Sequence, residues 1–167
     1  MKKTSDLVRY TARGAVIAAL YVVLTAVSAL LGLSSGVIQL RISEALCILP
    51  LFMPEAVPGL FVGCILSNVL VSGGIIWDVI FGSIATLVGA LGTFALRKLP
   101  KKLLWLAALP PVLSNAIVVP FVLIYAYGVP DTYGFIMLTV GIGELLSVGV
   151  GGTLLYFGIK KSKLQIK

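Results

Sequence analysis

The chain has 167 residues, of which 59% are hydrophobic and 11% are charged, and its mean hydropathy is +1.12. A soluble globular domain carries roughly a quarter charged residues, so this composition excludes that class and predicts an all-α membrane protein. The net charge of +7 would suit a nucleic-acid partner, but the basic residues lie between apolar segments. We therefore expect the chain to reside in a lipid bilayer and to bind no nucleic acid.

The Lys and Arg residues indicate which parts of the chain are cytoplasmic. Twelve of the thirteen fall in three clusters, within residues 2–13, 97–102 and 160–167. The positive-inside rule places all three clusters in the cytoplasm, so an even number of spans separates each from the next. Because residues 14–96 are too many for two spans of about 20 residues, we expect four spans there and two more in 103–159. This predicts a six-transmembrane-helix bundle, a single integral membrane domain over 1–167 with both termini cytoplasmic.

Proline and glycine divide the apolar sequence into the individual spans. The second span is short, because Pro50 and the proline-containing segment 54–59 interrupt it. In the fifth span Pro110, Pro111 and Pro120 predict a kink or break. The N-terminal apolar segment is long enough to span and lacks a signal-peptide cleavage pattern. The predicted spans are 14–31, 43–54, 56–73, 77–96, 103–127 and 133–159.

Three carboxylates occur in or at the edge of these spans: Glu44, Asp78 and Glu144. A charged side chain near the bilayer centre costs at least about 2.5 kcal/mol on insertion scales, so such residues usually serve a function. Other polar side chains occur at similar depth in the outer half of the predicted bundle. The sequence therefore predicts a polar binding site built from Gln39, Arg41, Glu44, Asn68, Trp77, Asp78, Asn115 and Glu144.

Several of these residues have a simpler interpretation. Arg41 and Glu44 are spaced to form an ion pair at a helix start, with Ser43 as a cap. Trp77 suits an interfacial aromatic belt, Asp78 suits a helix N-terminus, and the two asparagines suit hydrogen bonds between helices. Glu144 is the strongest candidate for function, because it is deep and no basic residue is expected at its depth.

Small residues form a stripe on the first predicted span. Ala15 and Ala19 are four residues apart, and Ala12, Gly14 and Ala18 are close to them. Such a stripe allows close approach by another helix, either from a partner protein or from within this bundle.

The segments 36–46 and 54–60, together with Trp77 and Asp78, resemble the substrate-binding S components of energy-coupling factor (ECF) transporters, and in particular the queuosine-precursor (QueT) type. The resemblance extends over essentially the whole chain. It implies a subunit that captures a micronutrient outside the cell and docks on a transmembrane T component carrying two ATPase subunits. It also implies that Ala15 and Ala19 form the docking face and that the chain resides in the bacterial cytoplasmic membrane.

The resemblance further implies a 7-deazaguanine ligand such as preQ1, which carries an aminomethyl cation. Carboxylates suit this ligand, because one can accept from the guanine-like edge and another can neutralise the ammonium group. Trp77, Phe81 or Tyr125 could stack on the flat ring. No cofactor is expected.

Other functions remain open at this point. The chain could be an S component for a different vitamin, or a stand-alone proton-coupled carrier in which Glu144 relays protons. It contains no P-loop sequence, so we expect ATP hydrolysis only in partner subunits. An intramembrane enzyme ranks last, and we expect no metal site, because the chain has no His and its two cysteines, Cys47 and Cys64, form no CxxC.

Overall fold

A computed structural model describes residues 2–34 and 38–162 of the chain, and within them every regular element is helical. Six α-helices are separated or extended by 3-10 and π-helical turns. The α-helices are α1 (Lys2–Leu30), α2 (Ala56–Leu70), α3 (Ser83–Ala95), α4 (Leu109–Tyr125), α5 (Tyr133–Glu144) and α6 (Gly152–Lys161). A 3-10 helix, Ile42–Leu51, lies between α1 and α2.

Tighter and wider turns extend these helices to the length of a membrane span. A π-helical turn, Asp78–Gly82, leads into α3, and another, Leu145–Gly151, joins α5 to α6. Three-ten turns follow α3 at Leu96–Lys98 and precede α4 at Lys101–Ala108. Insertions of π-helix are rare and recur at functional sites, so the residues beside the two π-helical turns are candidates for a functional site.

Four helical segments are long and apolar enough to cross a membrane, namely Thr4–Leu30, Asp78–Lys98, Trp105–Tyr125 and Tyr133–Lys161. The 3-10 helix and α2 are apolar but shorter. These elements confirm the prediction of a helical membrane-embedded protein, and a helical segment overlaps each predicted span. At the three prolines of the fifth predicted span, the chain changes from a 3-10 helix to α4 just before Pro110 and Pro111, which occupy the first turn, where proline is tolerated, and α4 continues past Pro120.

The 3-10 helix runs antiparallel to α1. The Thr25 hydroxyl lies 2.9 Å from the Ser43 hydroxyl near its start, and Arg13 pairs with Glu55 at 3.1 Å just beyond its end. The 3-10 helix therefore returns the chain along α1 despite its short length.

Close packing of small residues holds α2 parallel to α1. A Cβ on Gly59 would lie 2.7 Å from the carbonyl oxygen of Gly14, and one on Gly63 would lie 3.0 Å from the backbone of Ala18. Larger residues would force the two backbones apart, so glycine is required at both α2 positions.

The helical segments after α2 also run in alternating directions. The Thr93 hydroxyl donates to the Ala107 carbonyl at 2.8 Å, and Gly89 lies against Pro111, so α3 and α4 are antiparallel. Consecutive helical segments therefore run in opposite directions when the 3-10 helix Ile42–Leu51 is counted as one segment and Tyr133–Lys161, which contains α5 and α6, as another. One end of the bundle, the basic end, holds the start of α1, residues 96–102 and the end of α6. The opposite end holds residues 31–34, 38–41, 71–77 and 126–132. Lys163 and Lys167 of the third basic cluster lie outside the described residues.

Candidate ligand-binding site

The chain between α1 and the 3-10 helix enters the bundle at the end opposite the basic end. The Leu40 amide donates to the Leu33 carbonyl at 2.8 Å, and Arg41 is extended, with φ −112° and ψ 106°. In the same connection, the Gln39 carbonyl lies against the bare Cα of Gly143, and any Cβ at position 143 would overlap the carbonyl oxygen. Gln39 and Arg41 are therefore held between helices.

Two adjacent cavities result from this arrangement. The first, the wide cavity, has a volume of about 290 Å³ and opens between the loops at 71–77 and 126–132. The second, the narrow cavity, has a volume of about 20 Å³ and lies deeper, among α3, α4 and α5. Gln39, Arg41 and Val119 line both and form the wall between them.

Asp78 is the carboxylate of the wide cavity. It opens the π-helical turn before α3, and its Oδ2 accepts a hydrogen bond of 3.0 Å from the Tyr127 hydroxyl. The same hydroxyl lies 3.3 Å from the Ser72 carbonyl, so Tyr127 links both loops around the opening. Tyr127 lies beyond the end of α4, where burial and the neighbouring Asp78 raise its pKa to about 12. The phenol is therefore a protonated donor at neutral pH.

Asn68 supports Asp78 from behind the cavity. Its Nδ2 donates to the Asp78 carbonyl at 3.0 Å and lies 3.6 Å from Cys64 Sγ. A Cβ on Gly82 would meet both Asp78 and Asn68, so the π-helical turn packs tightly on this pair. Asn68 is fully buried, which agrees with its simpler interpretation as a hydrogen bond between helices.

Glu144 is the carboxylate of the narrow cavity and immediately precedes the second π-helical turn. It is 8% exposed, and its Oε2 has no hydrogen-bond partner among the described residues. Asn115 lies beside it, and Thr86 lines the same cavity. Arg41 lines this cavity too, so the expectation that no basic residue reaches the depth of Glu144 was wrong. The sequence placed Arg41 in an outer loop, but that loop folds inward.

Glu44 faces the protein core and lines neither cavity. It is 1% exposed, it accepts a hydrogen bond from the Tyr21 hydroxyl, and the Cys47 thiol donates to its Oε2 at 3.1 Å. The simpler interpretation of an Arg41–Glu44 ion pair was also wrong, because no carboxylate oxygen of a described residue lies within 4.0 Å of the Arg41 guanidinium. Ser43 does not cap the 3-10 helix, since its hydroxyl contacts Thr25.

The aromatic side chains proposed to stack on a ligand lie elsewhere. Trp77, Phe81 and Tyr125 line an apolar groove of about 430 Å³ on the surface of the bundle, apart from the carboxylates. Trp77 stacks on Phe81 with ring centroids 5.8 Å apart and is 55% exposed, as a residue of an interfacial belt would be. The aromatic ring that does line the wide cavity is Tyr127, which sequence reasoning missed. The available signal was its loop position, at the same end of the bundle as Asp78.

Ala15 and Ala19 are exposed on the outer surface of α1. Internal packing against α2 uses Gly14 and Ala18 instead. Ala15 also lines a shallow groove of about 280 Å³ between α1 and α2. The outward half of the small-residue stripe is therefore not used by the bundle itself.

Comparison with known proteins assigns the family. A family model described as "QueT transporter" matches residues 11–161. The chain is 40% identical over 87 residues to the "Queuosine precursor transporter QueT" of Lactococcus lactis subsp. cremoris (strain MG1363). That alignment covers 52% of this chain and 47% of the relative, so the chain matches about half the length of that protein. No solved structure matches. The chain therefore belongs to the QueT transporter family, which is a family of transporters and not of enzymes.

Proposed function

We propose that this chain is the substrate-capture (S) subunit of an ATP-driven ECF importer in the bacterial cytoplasmic membrane, and that it binds a queuosine precursor of the 7-deazaguanine class. The observation that carries the proposal is the wide cavity. Its volume of about 290 Å³ is close to the lower end of the ~300–1,000 Å³ range of small-molecule pockets. It is lined by Asp78, Arg41, Gln39 and the ring of Tyr127.

The chemistry of these residues suits a guanine-like ring. The Asp78 carboxylate can accept from the N1–H and the exocyclic amino group of the ring together, while Gln39 and Arg41 can donate to its carbonyl oxygen. Tyr127 offers an aromatic surface beside the same carboxylate. The printed name of the Lactococcus relative, a queuosine precursor transporter, supports the same class of ligand.

The cavity opens at the end opposite the basic end, which supports capture from outside the cell. We propose six crossings of the membrane by a single integral membrane domain, with both termini cytoplasmic. A Cys replacing Lys101 should resist an impermeant thiol reagent added to intact cells, whereas one replacing Asp131 should react. Cys47 and Cys64 are buried and free, so their background should be low. Labelling from outside at position 101 would contradict this topology.

The partner subunits of the proposal are a transmembrane T component and two ATPases. The exposed Ala15 and Ala19 support this docking, because a partner helix can approach small residues closely. Uptake of radiolabelled aminomethyl 7-deazaguanine into proteoliposomes tests the whole proposal. Uptake should require internal ATP and all four subunits. Uptake by this chain alone, driven by a proton gradient, would instead indicate a stand-alone carrier.

A further inference from the structure

The narrow cavity is too small for a heteroaromatic ring. Its volume of about 20 Å³ gives room for about one water-sized group. It adjoins the wide cavity, since Gln39, Arg41 and Val119 line both. A ligand whose ring lies in the wide cavity can therefore reach the narrow cavity only with a short, slender arm.

The narrow cavity contains an acceptor that lacks a donor. Glu144 Oε2 is buried and has no hydrogen-bond partner among the described residues. The Thr86 hydroxyl cannot supply one without leaving the Gly82 carbonyl, to which it donates at 3.1 Å. A buried polar group without a partner costs about 1–3 kcal/mol, and more when the group is charged, so a donor arriving with the ligand would be favoured.

The charge around the cavity favours a cation. Asp78, Glu44 and Glu144 are near a single guanidinium, that of Arg41, which makes no ion pair within 4.0 Å in the described part of the chain. Carboxylates outnumber cationic side chains around the two cavities, so an ammonium group on the arm would be favoured over an anionic one. Val119 and Val140 complete the lining, so a substituent on the nitrogen would not fit.

We propose that the narrow cavity is an ammonium subsite in which Glu144 binds the primary amine of a one-carbon arm on the ligand. This inference rests on the proposed function and extends it. The chain selects the cationic aminomethyl form of 7-deazaguanine over forms whose arm is neutral, absent or substituted.

Isothermal titration calorimetry on the purified protein tests the subsite with three ligands: aminomethyl 7-deazaguanine, its cyano counterpart and the unsubstituted base. The wild type should bind the aminomethyl form at least tenfold more tightly than the other two. Glu144→Gln should weaken binding of the aminomethyl form roughly ten- to a hundredfold and change the other two less than about threefold. Glu55→Gln, a buried carboxylate at the basic end, is the matched control and should change none of them.

A second variant tests the subsite independently in case Glu144→Gln does not fold. Val140→Leu fills the narrow cavity without touching a charge, and it should lower only the affinity for the aminomethyl form. Equal losses for all three ligands in Glu144→Gln would show that Glu144 binds the ring and would overturn the subsite. Equal wild-type affinities for the three would overturn it as well, while leaving the proposed function intact. Failure of the wild type to bind any of the three would overturn both.

Discussion

At the scale of single residues, the three membrane carboxylates serve different purposes in this structure. Asp78 lines the wide cavity, Glu144 lines the narrow one, and Glu44 is enclosed by hydrogen-bond donors of the core. Residue type and depth indicated that these carboxylates matter. They could not indicate which would face a cavity, because that depends on how Tyr21 and Cys47 pack around Glu44.

Glu44→Gln should reduce stability more than affinity. The amide would place a donor against the Tyr21 hydroxyl or the Cys47 thiol, and one lost bond to a buried charge costs about 1.5–3 kcal/mol. We expect a lower midpoint of thermal unfolding in detergent, with ligand affinity in the folded fraction within about threefold of wild type. Tyr21→Phe should lower the midpoint similarly. An unchanged midpoint with a tenfold loss of affinity would place Glu44 in contact with the ligand.

Tyr127→Phe should weaken ligand binding, because Tyr127 orients Asp78. A hydrogen bond to a carboxylate contributes about 1.5–3 kcal/mol, and because Tyr127 acts on the ligand only through Asp78, we expect a smaller effect on binding, roughly a two- to tenfold rise in Kd. The raised pKa of Tyr127, about 12, keeps the phenol protonated below that value, so the effect should be equal at pH 7 and pH 9. Tyr125→Phe is the matched control in the surface groove and should leave Kd unchanged. Equal losses in the two variants would contradict the different roles of these tyrosines.

At the scale of elements, the inward path of residues 38–41 determines the site. The hydrophobic pattern indicated where the apolar helical segments lie, since long apolar runs and prolines are visible in the sequence, but it did not indicate the 3-10 and π-helical turns. It could not predict the path of this connection, which depends on a long-range contact between Gln39 and Gly143. The close approach of α2 to α1 through Gly59 and Gly63 is likewise a tertiary property.

Gly143→Ala should push residues 38–41 out of the bundle. A methyl group there overlaps the Gln39 carbonyl, which is backbone and cannot rotate away like a side chain. Because Gln39 and Arg41 line both cavities, we expect at least a tenfold loss of ligand affinity in calorimetry. Gly149→Ala is the matched control in the same Tyr133–Lys161 segment, where nothing lies within 4 Å of the added atom. It should keep wild-type affinity and gain up to about 1 kcal/mol of stability. Equal affinities in both variants would contradict the inward path.

Bulky residues on the outer face of α1 should block docking on the T component. Replacing both Ala15 and Ala19 with Trp should abolish co-purification with the T component and leave ligand affinity unchanged, because neither residue approaches a cavity near the carboxylates. The control replaces Val16 and Leu20 with Trp. These two residues are 59% and 47% exposed, and each lies about 100° around the helix from the neighbouring alanine. That pair should still co-purify. Normal co-purification of the Ala15 and Ala19 double variant would exclude this face.

At the scale of the whole molecule, polarity is divided between the two ends and the centre. The basic clusters share one end, the wide cavity opens toward the other, and large apolar side chains cover much of the surface between them. The basic clusters predicted the alternation of the chain from sequence alone, because charge counts do not depend on packing. The sequence could not predict which aromatic side chains line a cavity. Trp77, Phe81 and Tyr125 face the surface because of how their helices are rotated in the assembled bundle.

A structure of the protein bound to aminomethyl 7-deazaguanine, determined in lipid nanodiscs by electron microscopy of the complete transporter before ATP is added, tests the site most directly. The ring should occupy the wide cavity with its guanine-like edge on Asp78. The ammonium should lie in the narrow cavity, with its nitrogen about 2.7–3.2 Å from a Glu144 oxygen, which is the ordinary hydrogen-bond distance. Ligand density in the groove of Trp77 and Tyr125, with both cavities empty, would contradict the proposed site.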